Sequence, residues 1–251
     1  MKYEAKRMGN AGHELVQDAL IAEAPLSISI NGEPLTVTMQ TPGDEKELTR
    51  GLLHTEGILR HQHHSFNYSI LQYNGLQQIS HINVQLDAVE ASAISKRSLL
   101  SVAACGICGK TELQFAEGNL NTQIAFTVAG IKGMFSQMRL FQLAFDASGG
   151  CHAAAAFDAN EQLLAVKEDV GRHNAVDKVV GHLLLHSDLK SARYLLVSGR
   201  VSYEIIAKAF AAGIPLVAAV SAPSSLAVDF AKELGITLLG FCREQRVTQY
   251  A

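Results

Sequence analysis

The sequence predicts an α/β protein, with a parallel sheet in its C-terminal part and a smaller α+β unit before it. Two patterns carry that prediction. In the last third, ARYLLVSG, IPLVAAVS and ITLLGFCR are apolar runs of strand length, separated by YEIIAKAFAAG and SLAVDFAKELG, which have helical spacing and end in glycine as a C-cap does. Strand-helix-strand-helix-strand implies parallel strands joined by right-handed crossovers. In the first third, PLSISINGEPLTVTM alternates apolar and polar positions around Asn31-Gly32, the signature of a hairpin turn.

The remaining elements follow in chain order. DEKELTRGLLHTEGIL places Leu48, Leu52, Leu53 and Leu59 near helical spacing behind an acidic first turn, which predicts one amphipathic helix. FNYSILQY and HINVQL flank Asn74-Gly75 and read as a second pair of strands. QLLAVKEDVG and NAVDKVVGHLLLH supply a further strand and helix ahead of the alternating segment. The expected division is residues 1–95 as the N-terminal unit and residues 96–251 as the α/β domain, with the boundary near Ser92 to Lys96.

Composition narrows the function. The chain has 251 residues, 48% hydrophobic and 18% charged, with a formal charge of −3, so bulk charge gives no reason to expect nucleic-acid binding. MKYEAKRMGNAGHELVQD lacks the apolar core of a signal peptide, and no stretch approaches a membrane span. A cytoplasmic protein without membrane contact is the expectation. Its four cysteines, Cys105, Cys108, Cys151 and Cys242, are too few for a disulfide scaffold at this length.

The most informative motif is Cys105-x-x-Cys108 in SVAACGICGK. Two thiols at this spacing can share a metal, a disulfide or a transferable sulfur, or can simply be buried as small hydrophobes. The flanks favour reactivity: Lys96, Arg97 and Lys110 lie close in sequence, and no carboxylate stands between Glu90 and Glu112. A positive field stabilises thiolate over thiol. Gly106 and Gly109 suit a mobile loop better than a packed core.

Loops that leave the C-terminal ends of parallel strands gather on one edge, where ligands bind. Three such loops are suited to anions. SGRVSYE offers Ser198, Arg200 and Ser202 at a strand-to-helix junction, SAPSS offers Ser221, Ser224 and Ser225, and FCREQR offers Arg243 and Arg246. Ser202, Ser224 and Ser225 read equally as helix N-caps, and the arginines as a solvated strand end. No GxGxxG or GxxxxGK motif marks an ordinary dinucleotide or ATP site. KEDVGRHNAVDK brings Glu168, Asp169, Arg172, His173, Asn174, Asp177 and Lys178 to a further junction. It reads either as a ligand loop or as a cap followed by a solvated helix face. GGCHAAAAF presents Cys151 and His152 after a Gly-Gly turn, as a site wall or as a buried thiol beside a satisfied histidine.

A zinc deaminase would pair H-x-E with P-C-x-x-C, and the chain offers His54-Thr55-Glu56 with Cys105 and Cys108. Ala104 stands where proline is expected, and leucine periodicity around His54 fits an ordinary helix. A structural zinc site needs two further ligands, and no second CxxC supplies them. A thioredoxin-like frame around the pair is also missing. What remains is a thiolate-prone pair beside an anion-binding edge, which points to sulfur carried to a phosphate-bearing acceptor.

RSLLSVAACGICGK, GGCHAAAAF, EDVGRHNAVDKVVG, SGRVSYEIIAKAFAAGIP, SAPSSLAVDFAKELGITLLGFCR and the closing Tyr250 together resemble the FdhD family of sulfur carriers required for formate dehydrogenase activity. The hairpins and TRGLLHTEGIL fit its N-terminal part, so the resemblance spans nearly the whole chain. It implies a cytidine-deaminase-like layered α/β domain with a smaller N-terminal unit, usually as a homodimer. It also implies that the protein takes sulfur from a cysteine desulfurase and passes it to the molybdenum or tungsten bis-guanine-dinucleotide pterin cofactor before that cofactor enters the formate dehydrogenase apoenzyme. By resemblance, Cys105 bears the persulfide and Cys108 assists it. Phe241, Cys242, Arg243, Glu244, Gln245 and Arg246 match the cofactor-binding segment, the loop around His173 lies nearby by resemblance, and Ser198, Arg200 and Ser221 of the anion-suited loops complete the expected cofactor contacts; no obligatory protein-bound metal is implied. Ala103 and Ala104 depart from the hydroxyl residues frequent before the first cysteine. A non-catalytic chaperone of the molybdenum cofactor is the alternative of a different class; a zinc-dependent deaminase and a dithiol oxidoreductase are the others.

Overall fold

The computed structural model describes residues 2–10, 12–59, 67–73, 78–86, 116–120, 122, 124–243 and 246–251. An N-terminal hairpin, β1 (Lys2–Gly9) and β2 (Gly12–Ala19), is exposed along most of its length. A four-stranded sheet follows in the order β4-β3-β6-β5, from β3 (Ala24–Ile30), β4 (Glu33–Gln40), β5 (Asn67–Tyr73) and β6 (Ile79–Gln85). The turn between β3 and β4 puts Asn31 at φ 51° and Gly32 at φ 89°, the left-handed pair that an Asn-Gly hairpin requires. Helix α1 (Glu45–Thr55) lays Leu48 and Leu53 on this sheet against Leu26, Ile28 and Ile82. The predicted hairpin and helix are therefore present. The Asn74-Gly75 turn and the expected boundary near residue 95 lie outside the described residues.

The larger sheet has six strands in the order β12-β11-β10-β9-β7-β8. They are β7 (His152–Phe157), β8 (Leu163–Asp169), β9 (Tyr194–Val197), β10 (Leu216–Ala219), β11 (Thr237–Arg243) and β12 (Arg246–Gln249). The three apolar runs form the parallel strands β9, β10 and β11, as their composition predicts. β7 lies antiparallel to both β8 and β9, so β8 runs in the same direction as β9.

Both faces of this sheet are covered, which is why its strands read as continuous apolar runs rather than alternating ones. Ala154, Ala156, Leu195, Val197, Val217 and Leu238 pack on one face beneath α4 (Arg172–Leu185), α5 (Tyr203–Ala211) and α6 (Ser225–Leu234). Ala153, Ala155, Phe157, Leu196, Leu216 and Leu239 face α2 (Val128–Leu140), which contributes Ile131, Met134 and Met138. A short helix, α3 (Leu143–Ser148), leads from α2 into β7. The helices α2 and α3, the N-terminal hairpin and β12 were not anticipated from sequence.

Helix α4 is enclosed on two sides, by the sheet beneath it and by α1 above. Asp177 and Lys178, which one sequence reading put on a solvated face, are consequently each 1% exposed. The α1–α4 crossing is set by glycine. A Cβ on Gly181 would stand 1.8 Å from the Glu47 carbonyl oxygen, and one on Gly51 would stand 1.8 Å from that of Asp177. Beside the crossing, Lys208 of α5 donates to both Asp177 oxygens at 2.9 and 2.8 Å and to the Thr55 hydroxyl at 2.9 Å, joining three helices. Burial pulls the Lys208 ammonium pKa down, but the carboxylates of Asp177 and Glu56 outweigh it and hold the pKa above the ordinary lysine value.

This crossing yields a direct test. Gly181→Ala drives a methyl group into backbone and is expected to lower unfolding stability by about 2–3 kcal/mol. Gly133→Ala in α2, where a Cβ meets nothing within 4 Å, should be neutral or stabilising by up to about 1 kcal/mol. Denaturant midpoints of the two variants check the contrast.

Candidate functional site

The ends of the strands assemble the site. The C-terminal ends of β8, β9, β10 and β11, together with the start of β7 at His152, lie along one edge of the six-stranded sheet. The N-termini of α4, α5 and α6 open onto the same edge, capped by Gly171, Ser202 and Ser224. The unpaired N–H groups and aligned dipoles of three helices therefore favour negative charge there. The loops are stitched together by backbone bonds: Val201 N–H donates to Ala222 O at 3.2 Å, Ser224 N–H to Val201 O at 2.9 Å and Phe241 N–H to Ser221 O at 3.2 Å.

Ser198 accepts a hydrogen bond from Ala153 N–H at 2.9 Å, tying the end of β9 to β7, while Arg200 beyond it is exposed. Ser202 has no side-chain capping bond and instead pairs with Nε2 of buried His173 at 3.1 Å, with a Glu204 carboxylate oxygen 3.8 Å from the same nitrogen. Ser224 is a true cap, accepting from Ala227 N–H at 3.2 Å. Phe241 adopts φ 51°, a strained left-handed conformation for an aromatic residue, at the irregular pairing with β12. The Arg246 guanidinium lies 5.1 Å over its ring, and Arg243 Nε donates to Val220 O at 3.1 Å. The structure thus brings Ser198, Arg200, Ser221, His173, Phe241, Arg243 and Arg246 to one edge. Cys242 belongs to the same segment, but its side chain packs in the core on the α2 side. Glu244 and Gln245 lie outside the described residues, as do Cys105, Cys108 and their basic flank of Lys96, Arg97 and Lys110.

The polar density of KEDVGRHNAVDK has a structural explanation centred on Asp169. Its fully buried carboxylate accepts from Gly171 N–H at 2.7 Å, Asn174 Nδ2 at 3.1 Å and Thr41 N–H at 2.9 Å, and pairs with Lys178 Nζ at 2.7 Å. Lys178 also donates to Thr41 O at 2.6 Å, and Asn174 to Met39 O at 2.7 Å. The N-terminal unit is fastened here to the loop that starts α4.

His54, Thr55 and Glu56, the candidates for a deaminase motif, are used structurally. His54 pairs with the carbonyl of Ala211 at 3.0 Å, while Thr55 and Glu56 belong to the Lys208 network. Among the described residues, no group of three or more His, Cys, Asp or Glu side chains is arranged to hold a metal ion. Sequence reading also missed His182 and His186, which stack with ring centroids 4.1 Å apart at the end of α4 remote from the edge.

The two described thiols, Cys151 and Cys242, are both buried. Cys151 donates to Glu168 Oε1 at 3.1 Å, and burial together with that carboxylate pushes its pKa up to about 12. Burial pushes Cys242 up to about 11. At pH 8 only about one Cys151 in ten thousand is then thiolate. Brief treatment of the native protein with iodoacetamide at pH 8 should leave Cys151 and Cys242 unmodified and confine alkylation to Cys105 and Cys108, read by peptide mass mapping. Prompt labelling of Cys151 would contradict this assignment.

Comparison with known proteins agrees along nearly the full length. The sequence profile of the FdhD/NarQ family matches residues 21–251. The chain is 42% identical over 247 residues to a sulfur carrier protein FdhD of Streptomyces coelicolor, covering 93% of this chain and 87% of the relative. It is 37% identical over 237 residues to a sulfur carrier protein FdhD of Saccharolobus solfataricus, covering 93% and 89%. The fold is similar to the crystal structure of a candidate formate dehydrogenase accessory protein from Desulfotalea psychrophila, with TM-score 0.78, 23% identity and coverage of 100% of this chain and 96% of that one. With its sequence matched from the second strand's end to the C-terminus and its architecture shared, the chain belongs to the FdhD/NarQ family.

Proposed function

We propose that this protein is a cytoplasmic sulfur carrier for formate dehydrogenase. It accepts sulfur from a cysteine desulfurase on Cys105 and transfers it to a molybdenum or tungsten bis(molybdopterin guanine dinucleotide) bound at the sheet edge, before the cofactor enters the apoenzyme. The observation that carries this reading is the convergence of three helix N-termini with Arg172, Arg200, Arg243 and Arg246 on that edge. The relatives' shared name, sulfur carrier protein FdhD, supports it. No helix among the described residues is long and apolar enough to cross a membrane. A homodimer is the assembly expected of the family.

The residues fit such a ligand. Pyrophosphate oxygens match helix N-termini and guanidinium forks, and a guanine edge accepts two parallel bonds from an arginine. Phe241, partly exposed at its left-handed backbone with Arg246 over its ring, offers a stacking surface. When bound, the cofactor supplies the metal that receives sulfur.

The protein's own chemistry is thiol exchange. The Cys105 thiolate attacks the terminal sulfur of the donor persulfide; the donor S–S bond breaks and the donor cysteine leaves as thiolate. Attack by Cys108 on the inner sulfur of the Cys105 persulfide then expels hydrosulfide and leaves a Cys105–Cys108 disulfide, which a cellular thiol reduces.

Anaerobic incubation with a cysteine desulfurase and cysteine should give a one-sulfur mass adduct, absent in Cys105→Ala. No adduct on the wild-type protein would refute the carrier role. A variant lacking both cysteines should bind guanosine diphosphate normally yet fail to restore formate dehydrogenase. Restoration would instead favour the non-catalytic chaperone.

A further inference from the structure

We propose that Arg172, Arg200 and His152 form a separate anion pocket at the β7–β9 end of the edge, taking a phosphate oxyanion at a distance from the Phe241–Arg246 segment. The pocket deepens the proposed function and rests on it, because it assigns this end of the edge to a phosphate of the same ligand.

The sequence offers Arg172 in a possible ligand loop and His152 in a possible site wall, but nothing in it places the two together. Their proximity comes from topology. β7 begins at His152, β9 ends beside it at Val197, and the helix entered from β8 begins at Arg172. Gly199 fills the gap without a side chain: a Cβ there would stand 3.2 Å from His152 Nδ1 and 3.7 Å from Arg172 Cβ. Imidazole and guanidinium stem therefore flank one stretch of bare backbone.

Arg172 is incompletely satisfied. Its Nε is sealed from solvent and has no hydrogen-bond partner among the described residues. An N–H kept from water without a partner is costly, and a small rotation of the half-buried Arg172 side chain that turns this donor to an incoming oxyanion relieves that cost. The nearest carboxylate of the loop, Asp169, is already engaged by Lys178, Asn174 and the backbone of Thr41 and Gly171. It has little left for Arg172. Electrostatics agrees: burial first, then the charges of Arg172 and Arg200, hold the His152 pKa below the ordinary histidine value, with Asp169 opposing them weakly. His152 thus lies in the field of two guanidinium groups that Asp169 only partly offsets, near the N-terminus of α4.

His152 also provides the readout. An anion seated between the two arginines cancels their field, so the imidazole pKa must rise, by about 1 unit. The His152 ring resonance, assigned by its loss in His152→Gln, is followed by NMR across pH, without ligand, with inorganic pyrophosphate and with guanosine diphosphate. Both probes should raise the pKa. A lower half-saturation for the nucleotide assigns the phosphate to a nucleotide ligand, and a lower one for pyrophosphate assigns it to a free oxyanion. Arg172→Met should abolish the shift, Arg172→Lys should retain part of it, and Arg200→Met should weaken it. Arg246→Met should leave the pyrophosphate effect intact. No shift in the wild-type protein, an undiminished shift in Arg172→Met, or its loss in Arg246→Met overturns the pocket. Because persulfide formation on Cys105 is read by mass, failure here is distinguishable from failure of the carrier role.

Discussion

The buried ion pair between Asp169 and Lys178 organises the functional end of this molecule. Both side chains are essentially out of water, at 0% and 1% exposure, and 2.7 Å separates the charges. A buried charge is tolerable only when its remaining bonding capacity is met, and here it is met by groups from two parts of the chain. Asp169 gathers the start of α4 through Gly171 and Asn174 and gathers the N-terminal unit through Thr41. Removing one partner of such a pair typically costs about 3–5 kcal/mol. The N-terminal sheet and α1 are thereby part of the site's support.

With that loop fixed, the rest of the edge follows from connectivity. From β8 the chain crosses over β7 to β9, then steps to β10 and β11, always in the same direction across the sheet, with α4, α5 and α6 on one face. No reversal of strand order creates a crevice among these strands. The three helix N-termini line up instead along an open edge, and the arginines stand there. This arrangement suits an extended ligand with several anionic groups better than a small enclosed substrate.

The parallel strands were legible because they are buried on both faces. The runs YLLV and LVAA send alternate residues into the two cores and so carry no polar interruptions. The Asn31-Gly32 hairpin was legible because its turn needs left-handed backbone. The exposed β1–β2 hairpin was not, since none of its strand residues is buried and no apolar alternation marks it. The edge itself could be foreseen from topology, and so could Ser198, Arg200 and Arg246. The roles within KEDVGRHNAVDK could not. Whether Asp177 and Lys178 face water depends on α1 lying over α4, and that contact is fixed by Gly51 and Gly181, which are far apart in sequence. The proximity of His152 and Arg172 was hidden for the same reason: only the sheet order brings them together.

The ligand proposed for this edge engages all of its loops at once. Hydrogen–deuterium exchange of the protein with and without guanosine diphosphate tests this most directly. Slowed amide exchange in the loops at Gly171–His173, Gly199–Ser202 and Ser221–Ser224 and in Phe241–Arg243, with β1 and β2 unchanged, is the predicted result. Protection confined to residues away from the edge, or no protection at saturating nucleotide, would contradict it.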